Sequence, residues 1–335
     1  MSRYIIHVGM TKTGSSYLQS CLRDSSKALL TDGFLYPDDC WTSPNETHHG
    51  AIFHAVGQGV DTKTEAIFDR LNALPDRTII LSCESFFGLG ARHLQRLLAL
   101  MGSNPCEIVI YLRPWSQWIQ SHWRQVVKAG RTETFPEAFS RLLRNPSGYQ
   151  TNYIGTLDLL ASVFGNDAIR VVSYSNLIDA KKNMMEHFCE SILEIRGVPI
   201  SPDRIVNQST DLRSTELVRW LNAWCIARGL PTTTRNARAV LRAWNDPELA
   251  TDLDFLSVAM DAHRAVVKVD DQLWAAQYDI LMEQYGDKIV NPGPDGDLFQ
   301  RKAVEVSYIR DDCLLSPDVA ECLDRVFRRL VDRRR

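Results

Sequence analysis

Several absences set the first limits on this chain. None of its eight cysteines (Cys21, Cys40, Cys83, Cys106, Cys189, Cys225, Cys313 and Cys322) stands in a C-x-x-C pair. Neither a disulfide framework nor a zinc site is therefore expected, and thiols in apolar runs read as small buried hydrophobes. No apolar run approaches membrane-spanning length, and the N-terminus enters a strand at once, without the pattern of a signal peptide. A large excess of charge of either sign is also lacking. A net charge of −3 gives no global field that favours nucleic acid. No repeat and no clean linker interrupts the chain, and composition carries no signal of oligomeric state. The expectation is a soluble cytoplasmic protein with no zinc site, no nucleic-acid partner and no transmembrane segment. With 335 residues, 44% of them hydrophobic, the chain has room for one large domain or two modest ones and can bury an ample core.

The most informative stretch runs from Arg3 to Gln19. Tyr4-Ile5-Ile6-His7-Val8 is β-branched and aromatic and reads as a buried strand. From Ser16 onward Leu18, Cys21 and Leu22 fall on one helical face. The turn between them holds Gly9, Gly14, two threonines, two serines and Lys12. Unpaired backbone N–H groups there point at the positive end of the following helix, which makes an anion cradle suited to phosphate. Gly9 and Gly14 have the spacing of G-x-x-x-x-G-K-[ST], but Ser15 stands where that pattern requires lysine. The loop's cation is Lys12 instead. Splitting of ATP with magnesium is therefore not the expected chemistry.

Further strands are expected at 78–82, 106–112 and 169–174, alternating with helices at about 94–101, 115–128 and 153–164. This alternation predicts βαβ units, hence an α/β fold with a mainly parallel sheet flanked by helices. Ligands in such sheets bind beyond the carboxyl ends of the strands. Gly9–Tyr17, Cys83–Ser85 and Arg113 all occupy such ends, so the sheet should bring them together. Past residue 180 helices dominate, at about 183–195, 215–227 and 274–285. Segments 38–64, 231–256 and 286–301 read as loops. One domain over 1–335 is expected, with residues 1–200 as nucleotide-binding core and 201–335 as a mainly helical elaboration. Trp115, Trp118 and Trp123 read as core aromatics, and the basic segment 325–335 as a last helix.

On these residues the chain resembles the sulfotransferase family, closest to its bacterial sulfotransferase-like members. Thr11-Lys12-Thr13-Gly14-Ser15-Ser16-Tyr17-Leu18-Gln19 is similar to the family's 5′-phosphosulfate loop, P-K-T-G-T-T-x-L-Q, with Thr11 in place of proline. Ile110-Tyr111-Leu112-Arg113-Pro114, with Ser121 eight residues after Arg113, is similar to the 3′-phosphate motif. No segment matches R-K-G-x-x-G. The resemblance covers roughly residues 3–210 and implies a P-loop fold that uses 3′-phosphoadenosine-5′-phosphosulfate (PAPS) and releases the bisphosphate PAP, without a metal. It implies that Lys12 meets the bridging oxygen and that Thr13, Gly14, Ser15, Ser16 and Tyr17 form the phosphate cradle. Arg113 and Ser121 would hold the 3′-phosphate.

Transfer to a hydroxyl, or less readily an amine, also requires a base near the acceptor. Glu84, just past a buried strand, is the first candidate; His49 is the second, with His48 behind it. The acceptor, whether carbohydrate, lipid, peptide or small natural product, is not legible. The alternatives are a P-loop nucleotide or small-molecule kinase, disfavoured by Ser15, and a non-catalytic nucleotide-binding protein.

Overall fold

The structure, a computed structural model, describes residues 2–43, 46–145, 148, 151–199 and 210–332. Asn207, Gln208 and Ser209, which the sequence offers as possible nucleotide contacts, lie outside the described residues, as does 333–335 of the basic tail. Two compact units emerge. The first comprises Met1–Trp115, Ser147–Asn207 and Leu273–Arg301; the second comprises Ser116–Pro146, Gln208–Gln272 and Lys302–Arg335.

The chain opens with strand β1 (Arg3–Val8), helices α1 (Ser15–Asp24) and α2 (Ser26–Thr31), and the short strand β2 (Phe34–Leu35). Helices α3 (Gly50–Gln58) and α4 (Thr62–Asn72) lead to β3 (Thr78–Cys83), and α5 (Ala91–Met101) leads to β4 (Cys106–Leu112). Helices α6 (Trp115–Lys128), α7 (Phe135–Arg144) and α8 (Tyr153–Phe164) precede β5 (Ile169–Ser173). Then come α9 (Tyr174–Asp179), α10 (Met184–Ser191), α11 (Leu212–Ile226), α12 (Thr234–Ala243) and α13 (Ala250–Ala262). Strand β6 (Arg264–Asp270), α14 (Ala275–Tyr285), β7 (Ala303–Ile309) and α15 (Pro317–Asp332) complete it.

In the first unit β2, β3, β1, β4 and β5 form one parallel sheet in that order. The strands are near-continuous apolar runs because helices cover both faces. In β1 every residue after Arg3 is buried, and in β4 the last five are. Ile5, Ile80, Val109, Tyr111 and Val172 pack with Leu18, Leu22, Met185 and Phe188 of α1 and α10. Helix α8 packs against β4, β5 and α5. This is the expected α/β arrangement, a mainly parallel sheet flanked by helices, and it makes β1 the direct neighbour of both β3 and β4. The loops after these three strands are thereby adjacent.

Buried histidines give this unit a pH dependence. His7 is fully buried in β1, its Nδ1 2.7 Å from Ser82 Oγ, and burial pulls its pKa down to about 3. His49 is equally buried, and the same cause lowers it to about 4. Both must be neutral in the folded protein but protonate near ~6.5 when unfolded. Their stabilisation is complete above that unfolded value and is lost as pH falls toward the folded values. Each histidine contributes a slope of about 1.4 kcal/mol per pH unit, so the pair costs about 4 kcal/mol at pH 5. Denaturant midpoints at pH 7 and pH 5 should differ accordingly, and His7→Gln should flatten the slope. Equal midpoints at both pH values would contradict the account.

Two expected loops contain helices. Segment 38–64 holds α3 and the start of α4, and 231–256 holds α12 and the start of α13. Helix α3 buries only Gly50, Ile52 and Val56, too few for a periodic signal, and Asp61 caps α4 by accepting from the Thr64 N–H at 2.8 Å. Helix α12 turns Asn236 inward, where its Nδ2 donates to Asn222 Oδ1 at 2.7 Å. A polar residue on the buried face hides the amphipathic pattern. The second unit also contains β6 and β7, an antiparallel pair that the sequence reading leaves unassigned. Beside it, Arg219 bridges buried Glu216 and Asp311, while Glu216 accepts from the Ile309 N–H at 2.9 Å. Residues 325–332 of the basic tail belong to α15, whose Val319, Leu323, Val326 and Phe327 are buried and which packs on α13.

Candidate active site

The site grows from the turn between β1 and α1. Lys12 takes φ of 67° and Gly14 φ of 80°, two left-handed residues that reverse the chain within six positions. The Gly14 carbonyl accepts from the Tyr17 and Leu18 N–H groups and starts α1. Among the described residues, the N–H groups of Thr13, Gly14, Ser15 and Ser16 donate to no protein acceptor. Four consecutive unpaired donors at a ten-residue helix that has no acidic residue in its first turn suit an anion. Thr13 is buried and uses its Oγ1 to brace the turn, donating to the Met10 carbonyl at 2.7 Å. The Tyr17 hydroxyl accepts from Asn183 Nδ2 at 2.6 Å, so it anchors α1 to the cap of α10.

Arg113, one residue beyond β4, reaches back to this turn. Its Nη1 donates to the Lys12 carbonyl at 2.9 Å, and its guanidinium lies 5.6 Å from the Tyr174 ring centroid. The Tyr153 hydroxyl holds the Arg113 carbonyl at 2.8 Å. Burial lowers its pKa, yet a guanidinium remains charged at any working pH. Two motifs separated by 101 positions thus share a hydrogen bond. Ser121 is half-buried on α6 and belongs to the second unit.

Glu84 stands one residue past β3 and begins a single 3₁₀ turn, Glu84–Gly88. A Cβ on Gly9 would sit 2.9 Å from the Glu84 Cα, so glycine permits the contact between the phosphate turn and β3. Burial raises the pKa of the Glu84 carboxyl, and the Lys12 ammonium pulls it partly back. That environment suits a proton acceptor better than the fully solvated carboxylate would. Lys12, Glu84 and Arg113 are therefore brought together, as the sheet topology requires.

His49 takes another role. Its Nδ1 accepts from the Ser82 N–H at 2.8 Å, and its Nε2 lies 2.9 Å from the Pro37 carbonyl, to which it donates. Its own N–H donates to the Ser82 carbonyl at 2.8 Å, and the Tyr36 ring meets it edge-on with centroids 4.5 Å apart. With both ring nitrogens committed and the pKa depressed, His49 has no lone pair to offer an acceptor. It fastens the start of α3 to β3, two residues before Glu84.

Between these elements opens a cleft of about 350 Å³ lined by Met10, Thr11, Phe53, Glu84, Ser85, Phe87 and Gly88. Sequence reasoning missed Phe53, which lies in a segment read as loop, and Phe87, whose position after Glu84 was the available signal. Among the described residues no group of three or more His, Cys, Asp and Glu side chains is arranged to hold a metal.

No protein-family profile matches this chain, and no curated protein matches it. One solved structure with which it aligns is the "Crystal Structure of Sulfotransferase from Alicyclobacillus acidocaldarius". That alignment has 16% identity and a TM-score of 0.40, and covers 67% of this chain and 92% of the other. A likeness so distant carries no assignment, which rests on the residues above.

Proposed function

We propose that this chain is a sulfotransferase that moves a sulfuryl group from PAPS to an acceptor hydroxyl and releases PAP. The observation that carries the reading is the turn with four unpaired N–H groups, flanked by Lys12 and tied to Arg113. An anion fits that cradle, and the loop resembles the phosphosulfate loop of the family at the residues that form it. The N–H groups of Thr13–Ser16 would hold the 5′-phosphate and Arg113 the 3′-phosphate. Ser121 enters through its sequence spacing from Arg113 alone.

In the transfer the bond from sulfur to the bridging phosphate oxygen breaks as the bond from sulfur to the acceptor oxygen forms. Negative charge grows on the bridging oxygen, where the Lys12 ammonium stabilises the transition state more than the ground state. The acceptor proton passes to Glu84, whose raised pKa suits it as base. His49 keeps a structural role.

Incubation with sulfur-35-labelled PAPS and EDTA tests the reading. Labelled product and PAP should form together, and ATP with magnesium should not support phosphoryl transfer. ATP turnover without PAPS turnover would place the chain with the kinases.

A further inference from the structure

The walls of the cleft beside Glu84 carry the question of the acceptor further. Met10 and Phe87 are buried, Phe53 is half-buried, and Glu84 is the one charged side chain among the described residues lining the cleft. Phe53 rides on α3, whose start His49 ties to Ser82, and Phe87 follows Glu84 within the same 3₁₀ turn. Both rings are thus placed by the backbone that places the carboxylate. We propose, building on the sulfuryl-transfer reading, that the acceptor is a small uncharged phenol-like compound with a flat apolar body. Phe53 and Phe87 are its specificity-determining residues.

Five physical arguments converge on this class. A cleft of about 350 Å³ lies at the lower end of the range for small-molecule sites, roughly 300–1,000 Å³. A sugar would find side-chain hydroxyls at Thr11 and Ser85 but would turn its remaining hydroxyls onto Met10, Phe53 and Phe87, and desolvated polar groups without partners are costly. An acidic acceptor would bring a second negative charge beside half-buried Glu84, which already shares the Lys12 ammonium, and no cation is among the described residues lining the cleft. That charge would also raise the Glu84 pKa further. An aromatic ring instead buries its faces against Phe53 and Phe87. Its hydroxyl, with a pKa near ~10 as in tyrosine, is also easier for a carboxylate to deprotonate during transfer than an alkyl alcohol. The phenolic proton goes to Glu84, the phenolic oxygen takes the sulfuryl group, and PAP leaves.

The test compares three probes with PAPS as donor: 2-naphthol, 6-hydroxy-2-naphthoate and methyl α-glucopyranoside. The first two share shape and differ in charge. Wild type, Phe53→Ala and Phe87→Leu are assayed, with PAP affinity of each measured in parallel as a check on the fold and donor site. The expected result is sulfation of 2-naphthol, with kcat/KM for the carboxylate and the glucoside lower by about 100-fold or more. Phe53→Ala should raise KM for 2-naphthol about tenfold while PAP affinity stays unchanged. With PAP bound normally, preference for the glucoside or the carboxylate, no sulfation of any probe, or an unchanged KM in Phe53→Ala overturns the proposal. Failure of the wild type to bind PAP overturns the sulfuryl-transfer reading on which it rests.

Discussion

Replacing Lys12 by glycine is expected to reduce kcat by about 1,000-fold, the scale on which a single transition-state charge contact acts. Glycine is the informative replacement because Lys12 adopts φ of 67°, a conformation that costs an L-residue about 1 kcal/mol and glycine almost nothing. The variant should therefore unfold at the same or a higher denaturant concentration than wild type, while PAP release with acceptor present nearly ceases. Stability and activity move apart only if the ammonium acts on the reaction itself. Lys12→Arg keeps the charge but not its position, and should recover only part of the rate. A fall of less than about tenfold in Lys12→Gly would remove Lys12 from the chemistry.

Glu84→Gln is expected to lower kcat by about 100- to 10,000-fold, the range for a lost general base. The amide keeps the shape of the side chain, so KM for the acceptor should change little. The pH profile separates the two candidate bases. Burial raises the Glu84 pKa above the ordinary carboxylate range, so wild-type kcat should fall on the acid side at a pH above that range. Below that limb the carboxyl is protonated and cannot accept the acceptor proton. The limb should vanish in the residual activity of Glu84→Gln. It should persist at the same pH in His49→Gln, whose losses come through a loosened α3 and lower stability. A limb that moves with His49 and ignores Glu84 would reverse the assignment.

How much of this was legible in the sequence differs from element to element. Cys106–Leu112 could be read as a strand because a parallel strand buried on both faces is apolar throughout, whatever it packs against. The turn Gly9–Gly14 was legible because glycines, hydroxyls and a lysine at a strand-to-helix junction are a local code. Helix α3 was not, since it packs on α5 and the Glu84–Gly88 turn and His49 at its start is held by Ser82, all remote in sequence. The pairing of β6 with β7 is likewise non-local, with Arg264 opposite Ile309. Convergence of Lys12, Glu84 and Arg113 followed from the rule that places ligands at strand carboxyl ends. The hydrogen bond from Arg113 to the Lys12 carbonyl did not follow from it. His49 shows the limit most clearly. Whether a histidine in a polar stretch is solvated or sealed between two backbone partners depends on chain segments that local composition does not describe.

The central claim is that this turn and Arg113 bind a nucleotide carrying both 5′ and 3′ phosphates. Calorimetric titration of the purified protein with PAP in EDTA, beside AMP and ATP, tests it most directly. The account predicts PAP binding at about micromolar Kd or tighter, at least about tenfold weaker in Arg113→Ala, with AMP far weaker than PAP. Equal affinity for PAP and AMP, or ATP binding that appears only when magnesium is restored, would contradict it.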